Sequence, residues 1–254
     1  MSLTRTLVIA LVAVLPFAPG VKAAHLNEPR LTLPLEPNGP PRVALTLDAC
    51  TGKADNRILD ALIANRIPVT IFATARWLKR NEAAMLVIKA HPELFEIENH
   101  GAKHQPAVDV PMQVFGIAAA GSAEAVQVEV TAGGDAVTRA DGHRPTWFRG
   151  ATGMYTASAE QLIVKLNYRI AGYSLRADDG ASLGEAATAK RIEHAKDGDV
   201  IIAHVNQPTK PAGAGVVTGI LALKAKGYRF VRLEDVFSPH AAKVALHGTL
   251  PTTP

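Results

Sequence analysis

From Arg42 onward, short runs of β-branched and other apolar residues alternate with longer stretches whose apolar positions recur at helical spacing. The short runs predict strands at residues 43–47, 69–73, 95–98, 147–148, 169–173, 200–203 and 228–231. The longer stretches predict helices at residues 55–65, 81–90, 122–137, 158–166, 183–195 and 216–225. We expect Ser158 to cap the helix at 158–166.

This alternation of strands and helices predicts parallel strands with helices packed outside them. Roughly seven units suit either a barrel or a doubly wound sheet. No internal repeat or interdomain linker interrupts the pattern, so we place one domain at residues 42–238. A proline-rich, extended lead-in precedes it at residues 24–41, and a tail predicted to be disordered follows at residues 239–254.

The first 23 residues have the pattern of a signal peptide. Arg5 supplies the charged start, residues 7–17 form an apolar stretch of suitable length, and small residues predict cleavage after Ala23 or Ala24. The alternative is a membrane anchor, but the apolar run is shorter than the roughly 20 residues that span a bilayer. We therefore expect export, to the periplasm or the exterior, and no stable membrane span.

Composition describes a globular protein, with 48% hydrophobic and 20% charged residues. Of the 27 basic residues, Arg5 and Lys22 lie in the predicted leader, which leaves 25 against 23 acidic residues. The chain also lacks a basic run or a basic patch interleaved with aromatic residues, so we expect no nucleic-acid partner. Cys50 is the only cysteine, which excludes an intrachain disulfide.

Polar residues with catalytic potential follow the predicted strands at equivalent points. They are Asp48, His100, His104, Arg149, Asp178, Asp179 and His204. In parallel α/β architectures the carboxyl ends of the strands form one face, and that face carries the active site. We therefore expect residues from five strands to converge there.

The composition of this cluster fits hydrolysis of an amide. An acetamide needs a polarised carbonyl, an activated water and a protonated leaving nitrogen. A metal held by His100 and His104 can supply the first two. Asp48 can take the proton from water, and His204 can give one to nitrogen.

Each of these residues also has an ordinary alternative role. A pair of histidines four positions apart is weak evidence by itself, because nine histidines produce such pairs by chance. Asp48 could cap the next helix, and Arg149 could lie on the surface of a glycine-containing loop. The joint order and placement of the residues favour the catalytic interpretation.

Six segments resemble the motifs of polysaccharide deacetylases with a NodB homology domain, in the same order and spacing. They are TLDAC at 46–50, EIENHGAKH at 96–104, FRGATG at 148–153, the segment at 167–179, VIIAH at 200–204 and KGYRFV at 226–231. The resemblance covers about residues 42–237. It implies an α/β fold, specifically a distorted (β/α)7 barrel, and a bound divalent metal, usually zinc.

The resemblance also implies a role for each matching residue. His100 and His104 correspond to metal ligands, and Asp48 corresponds to the general base. Arg149 corresponds to the arginine that holds the base, and His204 to the general acid. The expected substrate is an acetylated glycan.

The fourth motif implies one further residue. Its aspartate, which we assign to Asp179, is expected to support either Arg149 or the general acid.

The chain departs from the family pattern at several motif positions. The family's third metal ligand is a second aspartate, where this chain has Ala49. Two imidazoles alone make a poor zinc site, so the third donor is expected to be Asp48 or Cys50; we include Asp48 in the ligand set. Asp48 cannot easily be both ligand and sole base. Gly150 replaces a proline and Gly180 a tryptophan, which predicts a reshaped acetyl pocket.

Three functions are consistent with these residues. The first is a metal-dependent hydrolase that removes acetyl groups from an amino-sugar polymer such as peptidoglycan, a chitin-like oligomer or an exopolysaccharide. The second is a glycan-binding module that kept the fold and lost the chemistry, an alternative motivated by Ala49. The third is a hydrolase of a small amide, against which the predicted export counts.

Overall fold

The computed structural model describes residues 24–237. The predicted signal peptide at residues 1–23 and the predicted tail at residues 239–254 lie outside the described part of the chain. Between residues 24 and 237, no helix is both long enough and apolar enough to cross a bilayer.

Most of the strands lie close to their predicted positions. The described strands are β1 (Arg42–Ala49), β2 (Val69–Ala73), β3 (Phe95–Asn99), β4 (Gln113–Val114), β5 (Ile117–Ala118), β6 (Trp147–Phe148), β7 (Arg169–Ile170), β8 (Leu175–Arg176), β9 (Val200–His204) and β10 (Arg229–Phe230). One parallel sheet runs in the order β7-β6-β3-β2-β1-β9-β8, and β10 pairs with the start of β1. β4 and β5 form a separate antiparallel hairpin.

Chain connectivity forces the sheet to curl. Its two ends, β7 and β8, are separated in the chain only by residues 171–174. Seven strands laid flat at a spacing of about 4.8 Å would place those ends about 29 Å apart. The five Cα steps between them reach about 19 Å at most. The sheet therefore closes on itself as a distorted barrel, with an opening between β7 and β8.

The helices connect the strands on the outside. They are α1 (Asn56–Ala64), α2 (Ala75–Arg80), α3 (Glu82–Lys89), α4 (Ala123–Asp141), α5 (Ala157–Lys165), α6 (Glu185–Glu193), α7 (Ala212–Ala225) and α8 (Leu233–Phe237), together with a 3-10 turn at Ala151–Gly153. The sequence pattern did not predict α2, α8 or the β4–β5 hairpin, all of which are short. It also placed the start of α7 four residues too late.

Strand β1 shows how the barrel wall separates its two faces. Leu45 and Leu47 belong to the apolar cluster that the outer helices complete. Ala44 belongs to a second cluster in the interior. Because successive side chains of a strand point to opposite faces, Thr46 and Asp48 share the interior face with Ala44. The strand thus carries Asp48 to the mouth of the barrel.

The predicted strand at residues 169–173 is too long, because β7 ends at Ile170 and the next strand, β8, begins only at Leu175, after a break. Gly172 lies in this break, and a Cβ there would overlap the backbone carbonyl of Pro29. The lead-in passes directly against the wall at this point. The strand stops where another segment of backbone takes up the space.

The predicted cap at Ser158 is also wrong. Helix α5 begins at Ala157, and its cap is Thr156, whose hydroxyl accepts a hydrogen bond from the Ala159 N–H at 3.4 Å. Thr156 has the extended backbone that a cap requires (φ −80°, ψ 152°). Two hydroxyl residues lie close together here, and only the backbone conformation distinguishes between them.

Candidate active site and metal centre

The register of the parallel strands brings the predicted residues to one end of the barrel. Asp48 on β1 lies directly opposite His204 on β9. β3 and β6 pair at their last residues, so that His100 and Arg149, which follow them, lie next to each other. His104 follows on the loop after β3. The expected convergence at the carboxyl ends of the strands is therefore seen in the structure.

Arg149 is fully buried, and its guanidinium makes four hydrogen bonds. Its Nη1 donates to Asp48 Oδ1 and to Thr46 Oγ1, both at 2.9 Å. Its Nε and Nη2 donate to the carbonyl oxygens of Ala171 (3.2 Å) and Gly172 (3.1 Å). The guanidinium is held by four groups and presents one edge to Asp48, so it is not the surface residue of the alternative interpretation.

Asp48 is held in its ionised form. Burial by itself would raise the pKa of this carboxyl, but the charges of His100, Arg149 and His204 outweigh burial and lower it. Only one carboxylate oxygen is occupied by Arg149. The other, Oδ2, lies 3.7 Å from His100 Nε2 and makes no hydrogen bond among the described residues. Asp48 is thus a buried carboxylate with one oxygen left to accept a proton.

The orientation of His100 is determined by the backbone of β6. Its Nδ1 lies 2.6 Å from the carbonyl oxygen of Arg149, and because a carbonyl can only accept, Nδ1 carries the hydrogen. Nε2 is therefore the nitrogen that faces Cys50, whose Sγ lies 3.5 Å away. A hydrogen bond from the non-ligating ring nitrogen to a backbone carbonyl commonly orients a metal-ligating histidine.

His104 sits on a tight loop that helix α4 holds in place. The buried carboxylate of Glu129 on α4 accepts hydrogen bonds from the N–H groups of Lys103 (2.9 Å) and Gln105 (3.0 Å), one on each side of His104. His104 itself has a left-handed backbone (φ 62°), a conformation that residues other than glycine rarely adopt. The loop bends back in this way so that the rings of His100 and His104 stand 5.1 Å apart.

Cys50, His100 and His104 together form a donor cluster. One ligand atom from each lies within 4.8 Å of the other two. Burial would raise the pKa of the Cys50 thiol, but the hydrogen bond with His100 and the neighbouring imidazoles of His104 and His204 outweigh it and hold the pKa well below its usual value. Cys50 is therefore disposed to be a thiolate, which is the form that binds metals.

This cluster fits a zinc ion. Zinc with Zn–S near 2.3 Å and Zn–N near 2.0–2.1 Å in a tetrahedron separates sulfur from nitrogen by about 3.6 Å. The distance from Cys50 Sγ to His100 Nε2 is 3.5 Å. The other pairs need shifts of only about 1 Å to reach tetrahedral spacing. Three protein donors with one open position are typical of catalytic zinc.

The expected ligand set of His100, His104 and Asp48 does not form such a cluster between residues 24 and 237. Arg149 holds one oxygen of Asp48 at 2.9 Å, and Cys50 takes the place of Asp48 in the donor cluster. The geometry therefore favours the thiolate over Asp48 as the third donor, and it leaves Asp48 available as a base.

Asp178, not Asp179, supports the imidazole of His204. His204 Nδ1 donates to Asp178 Oδ1 at 2.9 Å, and the His204 N–H donates to Oδ2 at 2.8 Å. Burial would lower the pKa of His204, but the hydrogen bonds with Asp178 and the neighbouring sulfur of Cys50 raise it well above its usual value. Asp179 pairs instead with Arg191 at 2.8 Å on the surface. The prediction that Asp179 supports Arg149 or the general acid is therefore wrong, and the neighbouring Asp178 makes the contact with His204.

Sequence reasoning also missed supporting residues. Glu129 carried no motif signal, although a glutamate among apolar residues of a helix marks a buried carboxylate that needs partners. Tyr155 was likewise missed; its hydroxyl accepts from the Gly150 N–H at 2.8 Å and stiffens the loop after Arg149. Glu129 acts on a loop distant in sequence and Tyr155 on the turn five residues before it, and neither contact follows from a motif.

A cavity of about 550 Å³ opens over these groups. Its floor includes Asp48, Cys50 and His204, and the hairpin residues Phe115 and Ile117 line it from the side. This size is in the usual range for a ligand pocket. The donor cluster, the carboxylate and the supported imidazole therefore face a single accessible space.

Comparison with solved structures shows the same fold. A deacetylase in complex with substrate is 24% identical, with 78% of this chain and 92% of that chain covered and a TM-score of 0.62. The peptidoglycan deacetylase PdaC from Bacillus subtilis is 19% identical, with 84% and 96% covered and a TM-score of 0.65. A pseudoenzyme of carbohydrate esterase family 4 from Bacillus anthracis is 18% identical, with 79% and 66% covered and a TM-score of 0.62. The predicted distorted (β/α)7 barrel is confirmed.

A comparison with curated protein sequences found no match. The family model described as polysaccharide deacetylase matches residues 36–171, which is more than half of the chain. The matched segment includes Asp48, His100, His104 and Arg149, whereas His204 lies beyond its end. The resemblance drawn from the sequence motifs is confirmed, and the chain belongs to the polysaccharide deacetylase family.

Proposed function

We propose that this chain is an exported, metal-dependent hydrolase that removes acetyl groups from an amino-sugar polymer. The observation that carries the proposal is the arrangement at the mouth of the barrel. There, a buried carboxylate held by Arg149 lies beside the Cys50, His100 and His104 donors, and a carboxylate-supported His204 completes the site. These are the groups that hydrolysis of an acetamide requires.

Cys50, His100 and His104 are the proposed metal ligands. A thiolate carries the same negative charge as the carboxylate that Ala49 replaces, so the donor set keeps its net charge. Thiolate with two imidazoles favours zinc over hard cations such as magnesium. When bound, such an ion polarises the acetyl carbonyl and lowers the pKa of a water molecule.

Asp48 is the proposed general base. Arg149 occupies Oδ1, keeps the carboxyl ionised, and leaves Oδ2 to accept a proton from the attacking water. Because Arg149 has three other hydrogen bonds, it cannot follow the carboxylate as its charge changes. The base therefore stays in position through the reaction.

His204 is the proposed general acid. Asp178 holds Nδ1, so Nε2 is the nitrogen directed toward the remaining space. The raised pKa of the imidazole keeps it protonated at neutral pH. Nε2 can then deliver a proton to the amine as the bond between carbon and nitrogen breaks.

Acetate release and metal content test this proposal together. We expect purified wild type to carry about one zinc per chain and to release acetate from a chitin oligomer. Cys50→Ala and His100→Ala should each weaken zinc binding about 100-fold, since 10–16 kcal/mol shared by four ligands is roughly 3 kcal/mol per ligand. His143→Ala is the matched control, because this histidine is 89% exposed and distant from the cluster.

Unchanged acetate release by His100→Ala would contradict the proposal. If Cys50→Ala binds zinc as tightly as wild type while His100→Ala binds it about 100-fold more weakly, the third ligand is Asp48 and not Cys50.

A second candidate is a glycan-binding module without catalysis. Ala49 in the first motif favours it, and so does the similarity in fold to a protein described as a pseudoenzyme. It predicts wild-type protein that binds acetylated glycan, contains no stoichiometric metal and releases no acetate. The metal measurement on wild type alone separates the two candidates.

A further inference from the structure

Phe115 stands at the tip of the β4–β5 hairpin beside the catalytic cavity. Its side chain is 72% exposed, and the residue lines the same cavity as Cys50 and His204. Among the large hydrophobic residues exposed between positions 24 and 237, it is the one aromatic. Exposed apolar surface at the edge of a cavity commonly marks a ligand contact.

The backbone at Phe115 is unfavourable for this residue type. Phe115 and Gly116 form the two-residue turn of the hairpin, with φ of 50° and 77°. Such a turn needs positive φ at both central residues, which asparagine and glycine adopt easily and a bulky aromatic does not. Fold stability alone therefore does not explain phenylalanine at this position.

The hairpin is anchored firmly enough to present the ring in one place. Val114 is buried. The N–H of Ala119 donates to the carbonyl of Met112 at 2.9 Å, and the N–H of Ala120 donates to the carbonyl of Pro106 at 3.0 Å. Preorganisation of this kind reduces the entropy lost when a ligand binds.

We infer that Phe115 is a stacking platform for a pyranose ring of the glycan that enters the cavity. The flat C–H face of a sugar carries little charge and packs on the negative face of an aromatic ring. Ile117, half-buried on the same strand pair, extends the apolar surface. The inference rests on the proposed function and narrows the substrate to a saccharide chain that reaches from the donor cluster to the hairpin.

The test compares a chitin oligomer with a small acetate ester, which has no pyranose ring to stack. Phe115→Ala should raise KM for the oligomer about tenfold and should raise KM for the ester much less. Phe115→Trp should retain oligomer binding. Leu86→Ala is the control, because Leu86 is equally exposed (73%) on α3 and does not line the cavity.

Phe115→Asn gives a second readout that a merely structural role would not produce. It should raise Tm, because asparagine suits the turn, while weakening oligomer binding as much as Phe115→Ala. Equal oligomer KM in wild type and Phe115→Ala overturns the inference. If wild type releases no acetate at all, the proposed function fails, and calorimetric oligomer binding to wild type and Phe115→Ala still decides the role of Phe115.

Discussion

Asp48 at the mouth of the barrel and Glu96 and Glu98 toward its amino end are all buried, with 4%, 6% and 4% exposure. Strand β3 contributes to both regions, because His100 follows its carboxyl end and the two glutamates lie earlier on it. At the mouth, the positive charges of His100, Arg149 and His204 lower the pKa of the buried carboxyl. At the other end, the pKa of both carboxyl groups is raised.

The difference lies in the partners that reach each carboxyl. Glu96 accepts from the Thr70 hydroxyl at 2.6 Å, and Glu98 from the N–H groups of Thr146 (2.9 Å) and Trp147 (2.8 Å). Neither glutamate forms an ion pair within residues 24–237. Burial raises the pKa of Glu96 to about 7 and, together with the charge of Glu96, raises the pKa of Glu98 to about 9.

Burial alone therefore does not decide the charge of an interior carboxyl. The positive charges of His100, Arg149 and His204 keep Asp48 an anion, whereas neutral donors leave the glutamate pair to keep a proton. The mouth of the barrel therefore holds an ionised carboxyl, whereas the two buried glutamates keep at least one proton between them near neutral pH.

Removing the guanidinium should have the largest effect. Arg149→Met leaves Asp48 buried without its ion pair, which we expect to cost about 3–5 kcal/mol in the free energy of unfolding and to abolish acetate release. Chemical denaturation and the acetate assay measure both effects. Arg191→Met is the control, since its pair with Asp179 is exposed and should contribute less than about 1 kcal/mol.

If Arg149→Met were as stable and as active as the control, the ion pair would not be what distinguishes the two regions. Arg149→Lys, which keeps the charge, serves as the second variant where the methionine variant fails to fold.

Removing the carboxylate while keeping its shape should have the next largest effect. Asp48→Asn should lower kcat about 10²- to 10⁴-fold, because the base can no longer accept a proton. Zinc content should remain at the wild-type level if Cys50, His100 and His104 are the donors. Loss of zinc in this variant would show that Asp48 belongs to the ligand set after all.

The smallest expected effect concerns the other end of the barrel. Because the folded state raises the pKa of Glu98, it binds more protons than the unfolded state above pH 4.5, so stability falls as pH rises toward 9. Glu98→Gln cannot ionise and should flatten this fall. Urea denaturation of both proteins across this pH range measures the difference.

A wild-type stability that rises with pH over the same range would contradict the raised pKa. The matched control is Glu234→Gln, which removes an exposed carboxyl close to the pair and should alter the slope little.

The spacing of apolar and polar residues predicted most of the barrel and the convergence of Asp48, His100, Arg149 and His204. Long strands such as β1 and β9 were located well, because a continuous apolar run is a local signal. Two-residue strands such as β7 and β8 were not, since so few residues carry no periodicity. Their ends are decided by what packs against them.

The choice between Asp178 and Asp179 shows a second limit. Both residues lie in the bend and turn that follow β8, and Asp179 has a left-handed backbone (φ 46°) that turns its side chain away from that of Asp178. One therefore faces His204 and the other faces Arg191. Motif matching identifies the pair of residues, but not which member points inward.

The order of residue types along the chain was enough to determine the alternation of strands and helices, the family, and the end of the barrel at which the polar residues gather. The tertiary structure decided which atoms meet there: Cys50 in place of Asp48 beside the two histidines, Asp178 under His204, and Arg149 across the barrel from β6. Periodicity and strand direction are properties of short segments, whereas these contacts depend on distances between segments that only packing sets.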